Sequence, residues 1–150
     1  SSLVLRQADD DTVGYVESLL DENDLPSRDV MAHPDRFYIG YNGDTRVGVG
    51  GVETYGTDGL LRSVVVEQSV RGNGLGTELC AALEATAVGD GVEQLYLLTT
   101  AAAAFFRQCG YVEIERGAAT AAIQQTSEFD DLCPTTATCM KTALEHRKFG

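Results

Sequence analysis

A short glycine-rich loop follows a run of valines near the middle of the chain, and this stretch decides the fold. It reads Val64-Val65-Val66-Glu67-Gln68-Ser69-Val70-Arg71-Gly72-Asn73-Gly74-Leu75-Gly76. The β-branched residues favour a strand, and the pattern from Thr77 to about Val88 indicates an amphipathic helix. Glycines let backbone N–H groups approach an anion closely, and the helix dipole adds positive potential at this end. The stretch therefore predicts a strand, a phosphate-binding loop and a helix.

Two other phosphate-binding patterns do not fit this loop. A P-loop needs a lysine directly after its second glycine, and the first lysine of the chain is Lys141. A Rossmann loop needs Gly-x-Gly-x-x-Gly, whereas the third glycine would fall on Thr77 or Leu79. The remaining pattern is Arg71-x-x-Gly74-x-Gly76, whose arginine supplies a full positive charge. The alternative explanation is a strand-to-helix turn that merely requires glycine.

Length and composition exclude several classes of protein. The 150 residues suit one domain over 1–150, and a net charge of -12 disfavours nucleic acid and anionic lipid as partners. We expect a cytoplasmic protein without a membrane segment, because no long apolar stretch and no signal-peptide pattern occur. The 4 cysteines are scattered and only 2 histidines are present, so we expect no metal site and no disulfide framework.

The basic residues are mostly arginine. Lys141 and Lys148 are the only lysines among 11 basic residues, against 23 acidic residues. This composition indicates a halophilic protein adapted to molar salt, with ordinary variation in an acidic enzyme as the alternative. A salt-adapted chain loses structure when salt is removed, because its negative charges then repel one another without screening.

Hydrophobic patterns predict an α/β fold with a mixed sheet of six to seven strands flanked by about four helices. The predicted order is a strand, two helices, three antiparallel strands, the helix after the glycine loop, a strand, a helix and two strands. The first helix should follow the acidic run at 9–11, since carboxylates favour helix N-termini. Its apolar residues at helical spacing are Val13, Val16, Leu19 and Leu20. Pro26 and Pro34 should bound the shorter second helix.

The loop and the element order together resemble the GNAT superfamily of acyl-CoA-dependent N-acyltransferases. A second motif, Thr99-x-x-Ala102-x-x-Phe105-Phe106-x-x-x-Gly110-Tyr111, is similar to the GNAT segment in which a helix carries paired aromatic residues. Within the superfamily, the segments 60–66, 98–101 and 128–134 look most like small amino-acid-type acetyltransferases. These include proteins of arsenic-resistance operons and, more distantly, enzymes similar to N-acetylglutamate synthase.

The resemblance implies acetyl-CoA as co-substrate. In this family the strand before the loop diverges from its neighbour, which leaves backbone groups of Val64, Val65 and Val66 for the pantetheine arm. The Val66 N–H would also polarise the thioester carbonyl as an oxyanion donor. Phe105 is likewise assigned to the cofactor site. The pyrophosphate would be held by the loop residues Arg71, Gly72, Asn73, Gly74, Leu75, Gly76 and Thr77.

The chemistry implied by the resemblance is direct attack of a neutral amine on acetyl-CoA, without an acyl-enzyme. Glu53 and Glu67 are candidates for the base that deprotonates the ammonium. Glu53 is preferred because Tyr55, two residues on, shares its strand face; a solvated carboxylate is the alternative for Glu53. Ser63 is another polar candidate in a central strand, with simple backbone hydrogen bonding as its alternative. The predicted catalytic residues are therefore Glu53, Tyr55 and Ser63.

The chain departs from the family pattern at Phe106. Many GNAT enzymes have a tyrosine there, which protonates the CoA thiolate. Either Tyr55, Tyr111 or water replaces it, or the thiolate leaves unassisted, since a thiol is acidic enough to need little help.

The acceptor is expected to be the primary amine of a small molecule such as an amino acid. Arg62 is predicted to clamp a substrate carboxylate, since it should share a strand face with Val64 near the reaction centre. A salt bridge to an acidic residue is the alternative for Arg62. Phe129 is predicted to line the acceptor pocket.

Two other functions stay open at this point. One is a CoA-binding module without turnover, which Phe106 favours. The other is a nucleotide-binding regulatory domain that uses the same loop. The chain is expected to be a monomer or a homodimer.

Overall fold

The computed structural model describes residues 3–72, 74–126, 129 and 136–144. The predicted loop residue Asn73 lies outside these ranges. The described strands are β1 (Leu3–Gln7), β2 (Phe37–Asn42), β3 (Thr45–Tyr55), β4 (Asp58–Val66), β5 (Gln94–Thr99), β6 (Val112–Ile114) and β7 (Thr138–Ala143). The described α-helices are α1 (Val13–Glu22), α2 (Leu75–Gly89), α3 (Ala103–Gln108) and α4 (Ala121–Gln124). None of these helices is long and apolar enough to cross a membrane.

The strands form a 7-stranded mixed sheet in the order β1-β2-β3-β4-β5-β7-β6. β1 pairs with β2, and β2 with β3, in antiparallel fashion, and β7 pairs antiparallel with both β5 and β6. β4 and β5 are parallel, which requires a crossover connection, and α2 lies in that connection. The prediction of an α/β fold with a mixed sheet and about four helices is confirmed.

The prediction of a second helix between Pro26 and Pro34 is wrong. Between α1 and β2 the described chain contains turns and one 3-10 helix at Pro34–Arg36, with no α-helix. A proline disfavours helical backbone at the residue before it, and a helix of a few residues is unstable without an extensive buried face. The stretch between Pro26 and Pro34 is too short to overcome both effects.

The first helix follows the acidic run as predicted, but none of the three aspartates is its N-cap. Thr12 is the N-cap of α1, and the Asp9 carboxylate accepts the backbone N–H groups of Asp11 and Thr12 at 3.0 and 3.1 Å. Asp9 therefore organises the turn before the helix. The apolar stripe predicted for this helix is buried as expected, at Val13, Val16, Leu19 and Leu20.

The first of two compact units comprises residues 1–52 and 63–83. Its core is a hydrophobic cluster in which α1, β2 and β3 contribute most of the side chains. The cluster consists of Ala8, Val13, Val16, Leu19, Leu20, Val30, Phe37, Ile39, Val49 and Val65. Gly48 on β3 lies against β4, where a Cβ atom would come within 2.2 Å of the Val65 carbonyl oxygen. Glycine at 48 is therefore required by the close approach of backbone.

The second compact unit comprises residues 53–62 and 84–150. Its core contains apolar side chains from β4, β5, β7 and the α4 region. The members are Leu60, Tyr96, Leu98, Ala119, Ile123, Phe129, Ala137 and Cys139. The parallel register of β4 with β5 joins Asp58–Leu60 to Gln94–Tyr96 and ends there. A single domain over 1–150 stays a prediction.

Candidate functional site

The glycine loop joins β4 to α2 within the first unit. A 3-10 turn at Gln68–Val70 leads into Gly72 and Gly74, whose φ angles are 88° and 73°. L-residues with side chains rarely adopt such angles, while a Cβ atom at either glycine would meet no described atom within 4 Å. The backbone conformation therefore requires glycine at both positions. Among the described residues, no atom fills the space beside these glycines. Leu75 then begins the 15-residue helix α2, whose first N–H groups have no partner within the helix.

The Arg71 side chain forms two hydrogen bonds within the first unit. Its Nε donates to the Val66 carbonyl oxygen at 3.0 Å, and its Nη2 donates to Asn23 Oδ1 at 2.9 Å. Arg71 therefore ties the end of β4 to the C-cap of α1. A guanidinium has further N–H donors, so these bonds are compatible with the predicted contact to phosphate.

The backbone of β4 is irregular at Ser63. This residue has a φ of 59°, in the left-handed region that is uncommon for a residue with a side chain. Strand alternation needs extended backbone at every residue, so the alternation that predicted a shared face for Arg62 and Val64 is interrupted between them. Beyond the irregularity, Val65 is buried, while Val64 and Val66 are half-buried.

Glu67, the second candidate base, is bonded to α1. The Tyr15 hydroxyl donates to Glu67 Oε2 at 2.6 Å, and the Arg46 guanidinium lies 4.4 Å from the centre of the Tyr15 ring. Burial, followed by the hydrogen bond to Glu67, raises the pKa of Tyr15, so its hydroxyl stays protonated and remains the donor. This contact gives Glu67 a clear structural role.

Three predicted site residues meet in the second unit, and we call Tyr55, Glu53 and Arg62 the Glu53 cluster. The Glu53 side chain is 3% exposed and that of Arg62 is 0% exposed. Arg62 Nη1 donates to Glu53 Oε2 at 3.1 Å, and the Tyr55 hydroxyl donates to Glu53 Oε1. Glu53 is therefore no solvated carboxylate, and Arg62 forms the salt bridge that was the alternative to a substrate clamp.

Tyr111, an alternative acid for the thiolate, is buried in the second unit. Its hydroxyl donates to Glu84 Oε2 at 2.8 Å, and its ring packs edge-on against Phe106 with centroids 5.6 Å apart. Glu84 is itself a buried carboxylate that sequence reasoning missed. The available signal was its place in α2, among apolar residues at helical spacing.

Phe129 and Phe105 occupy different settings in the second unit. Phe129 lies in the core cluster, against which Tyr55 packs, and Arg116 donates to its carbonyl oxygen at 2.9 Å. Phe105 is half-buried on α3 and packs edge-on against Phe106 with centroids 5.1 Å apart. Their predicted roles, in the acceptor pocket and at the cofactor, stay predictions.

The Cys139 thiol is not set up as a nucleophile. Burial raises the pKa of Cys139 to about 11, although the Arg116 guanidinium partly offsets this effect. A thiol with such a pKa is a poor nucleophile at neutral pH. Within the described ranges, no group of three or more His, Cys, Asp or Glu side chains could hold a metal ion.

Comparison with known proteins decides the family. Residues 33–113 match the family model described as an acetyltransferase (GNAT) domain. This match covers more than half of the chain and includes the glycine loop and α2. The chain belongs to the GNAT acetyltransferase family. The predicted family is thereby confirmed.

Several solved structures share the GNAT fold of this chain. N-acetylglutamate synthase from Neisseria gonorrhoeae, complexed with coenzyme A and N-acetyl-glutamate, has a TM-score of 0.81 and 18% identity, over 98% of this chain and 36% of that chain. Rv2747 from Mycobacterium tuberculosis, in complex with CoA, has a TM-score of 0.76 and 21% identity; the match covers 93% of this chain and 98% of Rv2747. A GNAT acetyltransferase from Staphylococcus aureus Mu50 has a TM-score of 0.73 and 16% identity; the match covers 95% of this chain and 99% of that enzyme.

These likenesses concern the fold alone, because the identities are low. The chain spans about a third of the length of the N-acetylglutamate synthase chains that it matches. No curated protein sequence matches it.

Proposed function

We propose that the chain transfers an acetyl group from acetyl-CoA to the primary amine of a small molecule such as an amino acid. The amine attacks the thioester directly, without an acyl-enzyme. The observation that carries the proposal is the glycine loop inside the segment that matches the GNAT family. There Gly72 and Gly74, both with positive φ, lead the backbone into the N-terminus of α2. This arrangement suits an anion, because the first N–H groups of a helix and its dipole both attract negative charge.

The proposed cofactor contacts follow from this loop. Backbone N–H groups of 71–77 hold the pyrophosphate of CoA, and backbone groups of Val64–Val66 hold the pantetheine arm. The early end of the parallel pairing, at Leu60 and Tyr96, supports this assignment. The Neisseria gonorrhoeae synthase and Rv2747, which were both solved with CoA bound, support it as well.

The proposed acceptor is a small amine. The Neisseria gonorrhoeae synthase was solved with N-acetyl-glutamate, which supports an amino-acid-type acceptor in this part of the family. A net charge of -12 is equally compatible with a cationic amine. A cytoplasmic location and adaptation to molar salt complete the proposal.

A CoA-binding module without turnover is the second candidate. Two observations favour it, since Phe106 has no hydroxyl where many relatives have one, and the Tyr111 hydroxyl is bonded to Glu84. A thiolate is a good leaving group near neutral pH, so the lack of an acid at this position still permits turnover.

Calorimetric titration of acetyl-CoA in molar KCl, with NAD as control, tests the cofactor. We expect micromolar binding of acetyl-CoA, no binding of NAD, and at least about tenfold weaker binding by Arg71→Glu. Arg107→Glu, which reverses another exposed arginine, is the matched control, and circular dichroism checks that each variant is folded. A folded chain that does not bind acetyl-CoA would rule out the proposal. CoA release with a panel of amines then separates an enzyme from a binding module.

A further inference from the structure

We propose that Tyr55 takes the proton from the acceptor ammonium and passes its own hydroxyl proton to Glu53, which Arg62 holds in position. This inference rests on the proposed function and deepens it. It also changes the role predicted for Glu53, which becomes the proton acceptor behind Tyr55 instead of the group that meets the amine.

The geometry of the Glu53 cluster carries the inference. Both carboxylate oxygens of Glu53 are engaged, Oε1 by the Tyr55 hydroxyl and Oε2 by Arg62 Nη1. Glu53 and Arg62 are buried, whereas Tyr55 is half-buried. Of the three side chains, Tyr55 is therefore the one that reaches the surface, and its hydroxyl connects that surface to the buried carboxylate.

Arg62 acts through Glu53 as a positioning residue. Its guanidinium is fully buried and lies 3.1 Å from Glu53 Oε2. A buried negative charge without a nearby cation is strongly disfavoured, and the Arg62 guanidinium supplies that cation beside Glu53. The same hydrogen bond fixes the carboxylate with its other oxygen toward Tyr55.

The proton step balances within these groups. One N–H bond of the ammonium breaks and its proton bonds to the Tyr55 oxygen, while the Tyr55 O–H proton moves to Glu53 Oε1. The products are a neutral amine, a neutral Tyr55 and a protonated Glu53. The amine lone pair then forms a bond to the thioester carbon, the C–S bond breaks, and a second amine proton goes to the CoA thiolate. Glu53 afterwards returns its proton to solvent through the Tyr55 hydroxyl.

A double-mutant cycle tests the relay in the full chain. The variants are Tyr55→Phe, Glu53→Gln and the combination, and the measurement is CoA release against pH with an amine that the unmodified chain acetylates. We expect each single change to lower kcat/KM at pH 7 by about 100-fold or more. We expect the combination to be no worse than Glu53→Gln alone, because both changes break one path. Losses that multiply, or a Tyr55→Phe profile like that of the unmodified chain, would overturn the relay.

Further variants separate the relay from a structural role. Tyr41→Phe removes a hydroxyl from another half-buried tyrosine, in the first unit, and should leave the rate and its pH profile unchanged. Arg62→Lys keeps the buried cation and should lower kcat less than Tyr55→Phe does. A large rise in the KM for the amine in Arg62→Lys, with Tyr55→Phe fully active, would identify Arg62 as a substrate clamp and refute the relay.

The acetyl-CoA titration distinguishes this inference from the proposed function. If the chain binds acetyl-CoA and acetylates an amine, and Tyr55→Phe does not change the rate, then only the relay is refuted. If the folded chain does not bind acetyl-CoA, the proposed function is refuted. If it binds acetyl-CoA but acetylates no amine, both the proposed turnover and the relay are refuted.

Discussion

Two arginine–glutamate pairs in the second unit have nearly the same N···O distance but very different exposure to solvent. Arg62 and Glu53 are 3.1 Å apart with side chains 0% and 3% exposed, whereas Arg107 and Glu113 are 3.0 Å apart with side chains 54% and 59% exposed. The distance therefore says little about the energy. In the exposed pair, water solvates each charge whether or not the partner is present, but in the buried pair each charge depends on the other.

Burial decides whether a charged pair carries information about function. An exposed pair costs little to make or lose, so its presence has no functional meaning by itself. A buried pair loses the hydration of both ions on folding, and it is hard to justify by stability alone. A functional role for the Glu53 cluster would explain why the pair is buried.

Removing one buried charge should have the largest effect. Arg62→Met removes the cation beside the buried Glu53 carboxyl group, and we expect the free energy of unfolding to fall by about 3–5 kcal/mol. Urea denaturation followed by circular dichroism at pH 7 measures the change. The double variant Arg62→Met with Glu53→Leu should regain much of the loss, because it removes both charges together. A loss under about 1 kcal/mol for Arg62→Met would mean that water reaches Glu53.

Removing the neutral hydrogen-bond donor of a buried carboxylate should have an intermediate effect on stability. Tyr111→Phe removes the hydroxyl that donates to Glu84 Oε2, and we expect the free energy of unfolding to fall by about 1–3 kcal/mol because a buried carboxylate loses this hydrogen bond. Tyr41→Phe, followed by thermal denaturation in parallel, provides the control and should change stability by under about 0.5 kcal/mol. Equal losses in the two variants would show that Glu84 gains little from Tyr111.

The exposed pair should give the smallest effect. Arg107→Met is expected to change the free energy of unfolding by no more than about 0.5 kcal/mol in dilute buffer. Raising KCl to molar concentration should reduce even this difference, since salt screens exposed charges. Urea denaturation at low and high KCl measures both values. A loss comparable to that of Arg62→Met would remove the contrast between the two pairs.

The sequence predicted best those features whose physical cause is local. Valine runs, turn glycines and the apolar stripe of α1 each act through neighbouring residues, and the strands and helices that they predict are present. The glycine loop was predicted for the same reason, because left-handed backbone at Gly72 and Gly74 requires glycine. The predicted second helix is absent because proline spacing marks only where a helix could begin and end, whereas a short helix also needs a face to bury.

Features that depend on distant residues were beyond sequence reasoning. Glu53 and Arg62 were each singled out, but their pairing joins two strands and was only one alternative among several. The buried carboxylate of Glu84 meets a tyrosine 27 residues away, and no local pattern signals that contact. The left-handed backbone at Ser63 has no local cause in sequence either, because serine carries no preference strong enough to predict it.

The close approach at Gly48 has a consequence for how this chain tolerates change. Any side chain at position 48 would place its Cβ atom 2.2 Å from the Val65 carbonyl oxygen, and a backbone atom cannot move away as the end of a flexible side chain can. Only separation of β3 from β4 would make room. In a random library selected for folded protein, position 48 should therefore retain glycine, while exposed Gly14, with open space around it, should accept many residues.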